Sequence, residues 1–397
     1  MSLINLNRLR NVDWPMVAAL VALNCMGIIT IWSVTGIETG SVLAFLDSYP
    51  VRQFVFMLLG LVVLLITSCG NYLYLKKYAW WGYGLSVFLL IVVLTPIGIA
   101  HKGSQRWIPM GVVNLQPSEV AKIGTIIALA RYLMYKKNLQ ELIQLIPPFV
   151  IAIIPTLLIL VEPNLGTAML FGPMFLMVLF AAGASPKHLI TAVLVTVAMM
   201  PVAYEYGLEP YQKARIIGFV NPQEVPLNEG YHLIRSRIAI GSGGIPGKGF
   251  GQSTENYSQL VPERHNDFIF TVLGEEGGLI GAGTVILLYL LLIFFLLKTA
   301  YFTREPFGRL YIVGLSVFIT CQVYVNIGMT VGLSPITGLT LPFVSYGGSS
   351  LVMSYFAIGI AQSIKANSVP SFSERDHGSS RRVIKETPTQ AEGVLNT

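Results

Sequence analysis

Gln259-Leu-Val-Pro-Glu-Arg-His-Asn-Asp267-Phe-Ile-Phe-Thr-Val-Leu-Gly-Glu-Glu-Gly-Gly278 begins as a polar loop and ends inside an apolar segment that continues to Leu297. About 20 apolar residues at 1.5 Å each cover the ~30 Å hydrocarbon core of a bilayer, so the segment from 268 onward reads as a membrane span. Glu263, Arg264, His265 and Asp267 crowd five positions at its mouth. A carboxylate therefore stands where a long polar loop meets the membrane.

Hydrophobic residues make up 53% of the chain and charged residues 12%, with a mean hydropathy of +0.65. Soluble domains carry about 25% charged residues, so an ordinary globular enzyme is excluded. The net charge of +6 is dispersed, and no basic run interleaves with aromatics, which argues against a nucleic-acid partner. Cys25, Cys69 and Cys321 are far apart and lie within or at the end of apolar runs, where they read as packing residues rather than a disulfide or metal site. The apolar stretch 14–34 is too long for a signal-peptide core, and no small-residue cleavage site follows it, so it reads as a retained first span.

Further apolar segments lie near 53–69, 78–97, 117–134, 142–161, 165–183, 188–206, 268–297, 310–332 and 343–364, ten in all with the first. The fold expected is an all-α polytopic membrane protein of about ten transmembrane helices. It has one long extracytoplasmic loop at about 206–266. The short turn Glu162-Pro163-Asn164 makes the fifth and sixth spans antiparallel neighbours. With an inside N-terminus, eleven Lys and Arg residues fall in inside segments and three (Arg52, Lys102, Arg106) in short outside loops. Both termini are then cytoplasmic. The membrane domain takes 1–366, and the Ser-, Thr-, Glu- and Arg-rich stretch 367–397 reads as a disordered cytoplasmic tail.

Few residues in such a chain can carry chemistry. Glu119 and Lys122 lie inside the fourth span, three apart and so on one helix face. Ionisable groups at that depth face the protein interior or a wet cavity, either as an ion pair or as a substrate contact. Arg106-Trp107 precedes that span on the outer side. Trp there suits an interfacial anchor, and the Arg guanidinium fork matches phosphate oxygens. The long loop carries Lys213, Arg215, Arg235 and Arg237, then the glycine run 241–251 around Lys248. Lys248 is followed by Gly249 rather than Ser or Thr, so the run is no P-loop; it reads as a solvated linker or a flexible, basic anion site. Glu275 and Glu276 are deep enough to need partners, for which Lys122 is the candidate. The tenth segment opens with Pro342, Gly347 and Gly348, whose exposed amides are candidates for holding an anion. Asp267 is the acid at the junction itself, structural or catalytic on local features alone.

Taken together, these stretches resemble the SEDS (shape, elongation, division and sporulation) family of peptidoglycan glycosyltransferases. The resemblance rests on Arg106-Trp-Ile108, Gln116-Pro-Ser-Glu-Val-Ala-Lys122, Glu162-Pro-Asn-Leu-Gly-Thr167 and Pro262-Glu-Arg-His-Asn-Asp-Phe-Ile-Phe270. It continues through Gly274-Glu-Glu276, Asn326-Ile-Gly-Met329 and Leu341-Pro-Phe-Val-Ser-Tyr-Gly-Gly348. Ala239-Ile-Gly-Ser-Gly-Gly244 and Asn326-Ile-Gly-Met329 look more like the elongation branch than the division branch. Asn164 stands where the family usually has Asp, and Asn266 where it usually has Thr.

The resemblance implies a multi-pass protein of the bacterial cytoplasmic membrane that polymerises lipid II into glycan strands. It implies Asp267 as the catalytic residue, with Arg106, Trp107, Glu119 and Lys122 as substrate-binding residues; Arg215 and His265, basic groups of the long loop, are further substrate-binding candidates read from the residues themselves. A divalent cation, Mg or Mn, is left open beside them. Implied partners are lipid II, the growing glycan strand, membrane lipid and a class B penicillin-binding protein acting as transpeptidase. The rival from another class is a lipid II flippase, which needs a groove and buried charges but no base at the outer surface.

Overall fold

The computed structural model describes residues 10–36, 41–101, 104–111, 114–136, 139–222, 229–253 and 266–368. Ten helices fall on the ten expected spans. They are α1 (Trp14–Thr35), α3 (Tyr49–Cys69), α5 (Ala79–Val93), α6 (Pro117–Leu133), α7 (Ile146–Val161), α8 (Leu165–Ala181), α9 (Pro186–Val202), α12 (Ile269–Phe302), α13 (Pro306–Val331) and α14 (Gly348–Ser368). Four others join them: α2 (Val42–Asp47), α4 (Tyr72–Lys77), α10 (Pro210–Val220) and α11 (Glu229–Ser242). Among the described residues, six helical stretches are long and apolar enough to cross a membrane by length and composition, while α5 and α8 are apolar but shorter. Helices satisfy their own backbone, which is why apolar runs of this length adopt them in lipid.

The long loop and the segment 99–116 hold more structure than their composition announces. Within 206–266, α10 and α11 are helical, and the 99–116 segment forms a three-stranded antiparallel sheet of β1 (Ile99–His101), β2 (Ser104–Pro109) and β3 (Asn114–Leu115). The helix α14 runs through 367 and 368, the first two residues expected in the tail; 369–397 lie outside the described residues.

Without a hydrophobic driving force between helices in lipid, close packing needs small residues at the contact. The pair α3 and α14 shows this. A β-carbon on Gly60 would fall 2.2 Å from the Tyr355 ring, and one on Gly359 would fall 1.8 Å from Thr67 Oγ1. The helix α6 is enclosed on nearly every side. At the other extreme, α9 buries none of its side chains in this chain.

At one end of the bundle, Lys365 near the end of α14 pairs with Asp13 at the start of α1 (2.5 Å), and Lys76 of α4 pairs with Glu305, the N-cap of α13 (2.8 Å). The opposite end carries the sheet, the 162–164 turn, α11, the start of α12 and residues 332–347.

The helix α12 is broken at Gly278, whose φ of +59° belongs to the left-handed region that glycine tolerates. The glycine run before it repairs the break. Lys248 N and Gly249 N donate to Glu275 O and Glu276 O (both 3.0 Å), while Leu279 N and Ile280 N donate to Gly244 O and Ile245 O (2.9 and 3.2 Å). The linker reading of this stretch is thereby corrected.

Candidate active site

Asp267 sits in the turn that opens α12, immediately before the N-cap Phe268, where the positive end of the helix dipole favours a negative charge. Two side chains, one from the loop before α14 and one from α13, hold that turn by its carbonyls. Ser345 Oγ donates to Asn266 O at 2.7 Å, and Asn326 Nδ2 donates to Asp267 O at 2.9 Å. The half-buried carboxylate packs against Gly338. A β-carbon there would stand 3.4 Å from Oδ2, and the φ of +71° again calls for glycine.

Gly338 belongs to residues 332–347, a mostly buried irregular loop between α13 and α14. Non-helical backbone at such depth is tolerated where protein satisfies its polar groups. Here Gln322 Nε2 donates to Thr340 O (2.9 Å), Asn326 Nδ2 to Leu339 O (2.5 Å), Gln53 Nε2 to Ser345 O (3.1 Å) and Tyr289 Oη to Pro342 O. The amides expected to hold an anion are engaged as well. Leu341 N donates to Ser345 Oγ, Val344 N and Ser345 N to Leu341 O, and Gly347 N to Gln53 Oε1.

Glu119 and Lys122 form an ion pair at 2.7 Å, both buried. The ammonium also lies 3.5 Å from Gln322 Oε1 and 5.1 Å from the Phe318 ring centroid. Gln322 and Asn326 are one turn apart on α13, so one helix face reaches the ion pair, the buried loop and the Asp267 turn. Lys122 is not the partner of Glu275. That carboxylate, fully buried, binds Lys248 (2.5 Å) and Ser253, while Glu276 accepts from Ser33 of α1.

Arg106 and Trp107 are neighbours on β2, both half-buried, with Trp107 opposite Ile99 of β1. The guanidinium reaches the turn between α7 and α8. Nε donates to Glu162 O at 3.2 Å and Nη2 to Pro163 O. In the same turn the Glu162 side chain is fully buried, and neither carboxyl oxygen has a hydrogen-bond partner. Burial pushes this carboxyl up to about 8, against the opposing pull of the Arg106 charge. Asn164 caps α8 by accepting from Thr167 N at 3.3 Å. Two residues on, Gly166 is pressed against Thr337 O and Leu339, the neighbours of Gly338. The first turn of α8 and the Asp267 carboxylate therefore abut neighbouring residues of the stretch 337–339.

Arg215 sits half-buried on α10, which packs against α11. The helix α11 in turn locks onto α12 and α13 through Ser236, whose hydroxyl meets Thr271 Oγ1 (2.6 Å) and Thr330 O (2.8 Å). Leu233 of α11 shares a small core with Phe268, beside Asp267. His265 lies outside the described residues. Among the described residues no group of three or more His, Cys, Asp or Glu gathers as a metal cage, which leaves Mg or Mn without such a donor set here.

The arrangement offers a half-buried carboxylate at a helix mouth, a guanidinium on the 162–163 carbonyls, and a buried charge pair that reaches α13 through Gln322. Sequence reasoning named these but missed Gln53, Gln322, Ser345 and Glu162. The signal for Gln322 was available: with Asn326 it forms an amide pair one turn apart in an otherwise apolar helix.

The family model described as cell cycle protein, FtsW/RodA/SpoVE, matches residues 14–369. The chain is similar to the peptidoglycan glycosyltransferase MrdB of Escherichia coli K12, at 36% identity over 354 residues, covering 89% of this chain and 93% of the relative. It is similar to a probable peptidoglycan glycosyltransferase FtsW of Geobacter metallireducens, at 35% over 366 residues, covering 90% and 95%. Among solved structures it matches a chain of a peptidoglycan synthase complex that coordinates polymerization and crosslinking, with TM-score 0.77, 28% identity and 91% and 99% coverage.

Proposed function

From the premise that this chain belongs to the FtsW/RodA/SpoVE (SEDS) family of multi-pass peptidoglycan glycosyltransferases, we propose that it polymerises lipid II as the elongation-type, RodA-like member. Asp267 is the base: it accepts the proton of the acceptor sugar's hydroxyl as that oxygen attacks the donor's anomeric carbon. The bond to the undecaprenyl diphosphate breaks on the opposite side, and Arg106, with Arg215, neutralises the departing diphosphate. Trp107 and His265 complete the outer contacts to substrate. Glu119 and Lys122 brace the α13 face that carries the Asp267 turn, and so act on substrate from beneath.

The observation that carries this reading is the carboxylate of Asp267 against Gly338, at the end of a helix and at the edge of a buried loop. That position suits a group that must meet a membrane-anchored sugar. With the cytoplasmic membrane as location and both termini inside, the site faces outward, where lipid II is consumed. A class B penicillin-binding protein docked on the lipid-facing surface would crosslink the product; the likeness to a chain of a synthase complex supports it. The assignment to elongation leans on the 239–244 and 326–329 motifs, and is tested by which depleted polymerase, elongation or division, the chain replaces in cells.

The decisive experiment is polymerisation of labelled lipid II by the purified protein and by Asp267→Asn. The variant should fold and bind lipid II while losing about 10²–10⁴ in rate, the usual worth of general-base help. Near-normal polymerisation by the variant sinks the base assignment. Lipid II transport without polymerisation by the wild type replaces the enzyme with a flippase.

A further inference from the structure

Glu162 takes no part in the chemistry above, yet it is the most isolated carboxyl group among the described residues. It closes α7 outside the span, is fully buried, and neither of its oxygens is hydrogen-bonded. A carboxylic acid can be kept in such a place, whereas a carboxylate lacking donors cannot without heavy cost. The group beside it is Arg106, whose guanidinium is tied to the main-chain oxygens of Glu162 and Pro163. The carboxyl and the guanidinium therefore share one turn, and a change of charge on the first is felt by the second.

On the Glu162 carboxyl, Arg106 is the charge that acts. The helices α7 and α8 carry no Asp, Glu, Lys, Arg or His, and neither do residues 332–347. From α6, Glu119 and Lys122 compensate each other. Asp267 packs against Gly338.

We propose that Glu162 is a positioning residue for Arg106 that couples one proton to the binding of a diphosphate there. This rests on the reading of Arg106 as a diphosphate ligand. As the neutral acid, Glu162 leaves the guanidinium on its two carbonyls, with its charge directed at an anion. As the carboxylate, it draws the guanidinium into an ion pair and adds a negative charge that repels the ligand. Linkage makes the effect reciprocal: a bound diphosphate holds the proton on Glu162, and loss of that proton promotes release. Because burial pushes this carboxyl up to about 8, the exchange falls just above neutral pH.

The test measures binding of undecaprenyl diphosphate to the full chain in nanodiscs from pH 6.5 to 9.5, for the wild type, Glu162→Gln and Arg106→Gln. Glu162→Gln keeps the shape and removes the titration, and the ligand's own ionisation is common to all three proteins. Coupling of one proton lowers wild-type affinity by up to about tenfold per pH unit above pH 8 relative to Glu162→Gln, which stays flat. Parallel pH curves for wild type and Glu162→Gln overturn the coupling, even where Arg106→Gln binds weakly. Wild-type affinity in Arg106→Gln overturns the diphosphate reading of Arg106 instead. Should Glu162→Gln fail to fold, titration calorimetry of the wild type in two buffers of different ionisation heat decides. Proton uptake on binding near pH 8 supports the coupling, and zero uptake overturns it.

Discussion

The side-chain amide of Asn326 holds the main-chain oxygen of Asp267 at 2.9 Å, and the same nitrogen donates to Leu339 O at 2.5 Å. One residue of α13 thus fixes both the turn that bears the carboxylate and the loop it packs against. Its own Oδ1 is buried without a hydrogen-bond partner, so the amide is spent entirely on donation.

Asn326→Ala should therefore leave the fold and lipid II binding in place and slow polymerisation. Two carbonyls lose their donor, and a shift of about 1 Å in a reacting group costs on the order of 10² in rate. Labelled lipid II turnover beside a binding assay checks this; an unchanged turnover number removes Asn326 from the positioning of Asp267.

The ion pair in α6 makes a thermodynamic prediction. Lys122→Met leaves the Glu119 carboxylate buried without its charge partner, and breaking a buried pair costs about 3–5 kcal/mol. Glu119→Gln combined with Lys122→Met removes both charges and should recover part of that loss. Melting temperatures in detergent decide, and a double variant less stable than the single one rules out the pairing as a stabilising unit.

Glu162 also sets a pH dependence of stability. Its carboxyl is pushed from the usual 4.5 up to about 8 in the folded chain. Between those values the unfolded chain gives up its proton while the folded chain keeps it. Stability therefore falls as pH rises through that window, by at most about 1.4 kcal/mol per unit. Glu162→Gln abolishes the term, so its melting temperature should gain on the wild type from pH 5 to pH 8. Parallel melting curves would show that the buried acid does not titrate in this range.

The break in α12 predicts intolerance at two glycines. A β-carbon at Gly247 (φ +84°) would lie 2.0 Å from Glu276 O, and one at Gly278 would lie 2.3 Å from Gly247 N. Both contacts are with backbone, which cannot swing aside. Gly247→Ala and Gly278→Ala should each lower folded yield sharply, whereas Gly283→Ala, in the same helix with open space around it, should not. Equal yields for the three variants contradict the account.

Much of this was legible in advance, for specific reasons. The spans follow from length and apolarity alone, because lipid permits no other way to satisfy the backbone. The pairing of Glu119 with Lys122 follows from their spacing of three on a helix. Glu275 was assigned to Lys122 because both are buried charges, but its partner Lys248 lies on the segment that repairs the helix. No periodicity reveals a contact across 27 positions of irregular chain. The buried course of 332–347 was hidden for a related reason. Its prolines and glycines announce a break, but the groups that satisfy it, Gln53 and Tyr289, come from distant helices.

The broken helix also has a consequence for biogenesis. Residues 279–302 provide roughly 36 Å of unbroken apolar helix, enough to partition into the bilayer as they leave the translocation machinery. Residues 269–277 cannot do so alone, because Glu275 and Glu276 must first meet Lys248, Ser253 and Ser33. The N-terminal stretch that follows Asp267 is thus completed only after α1 and the glycine run have docked. A chain halted before that step would be inserted in the membrane but catalytically unassembled.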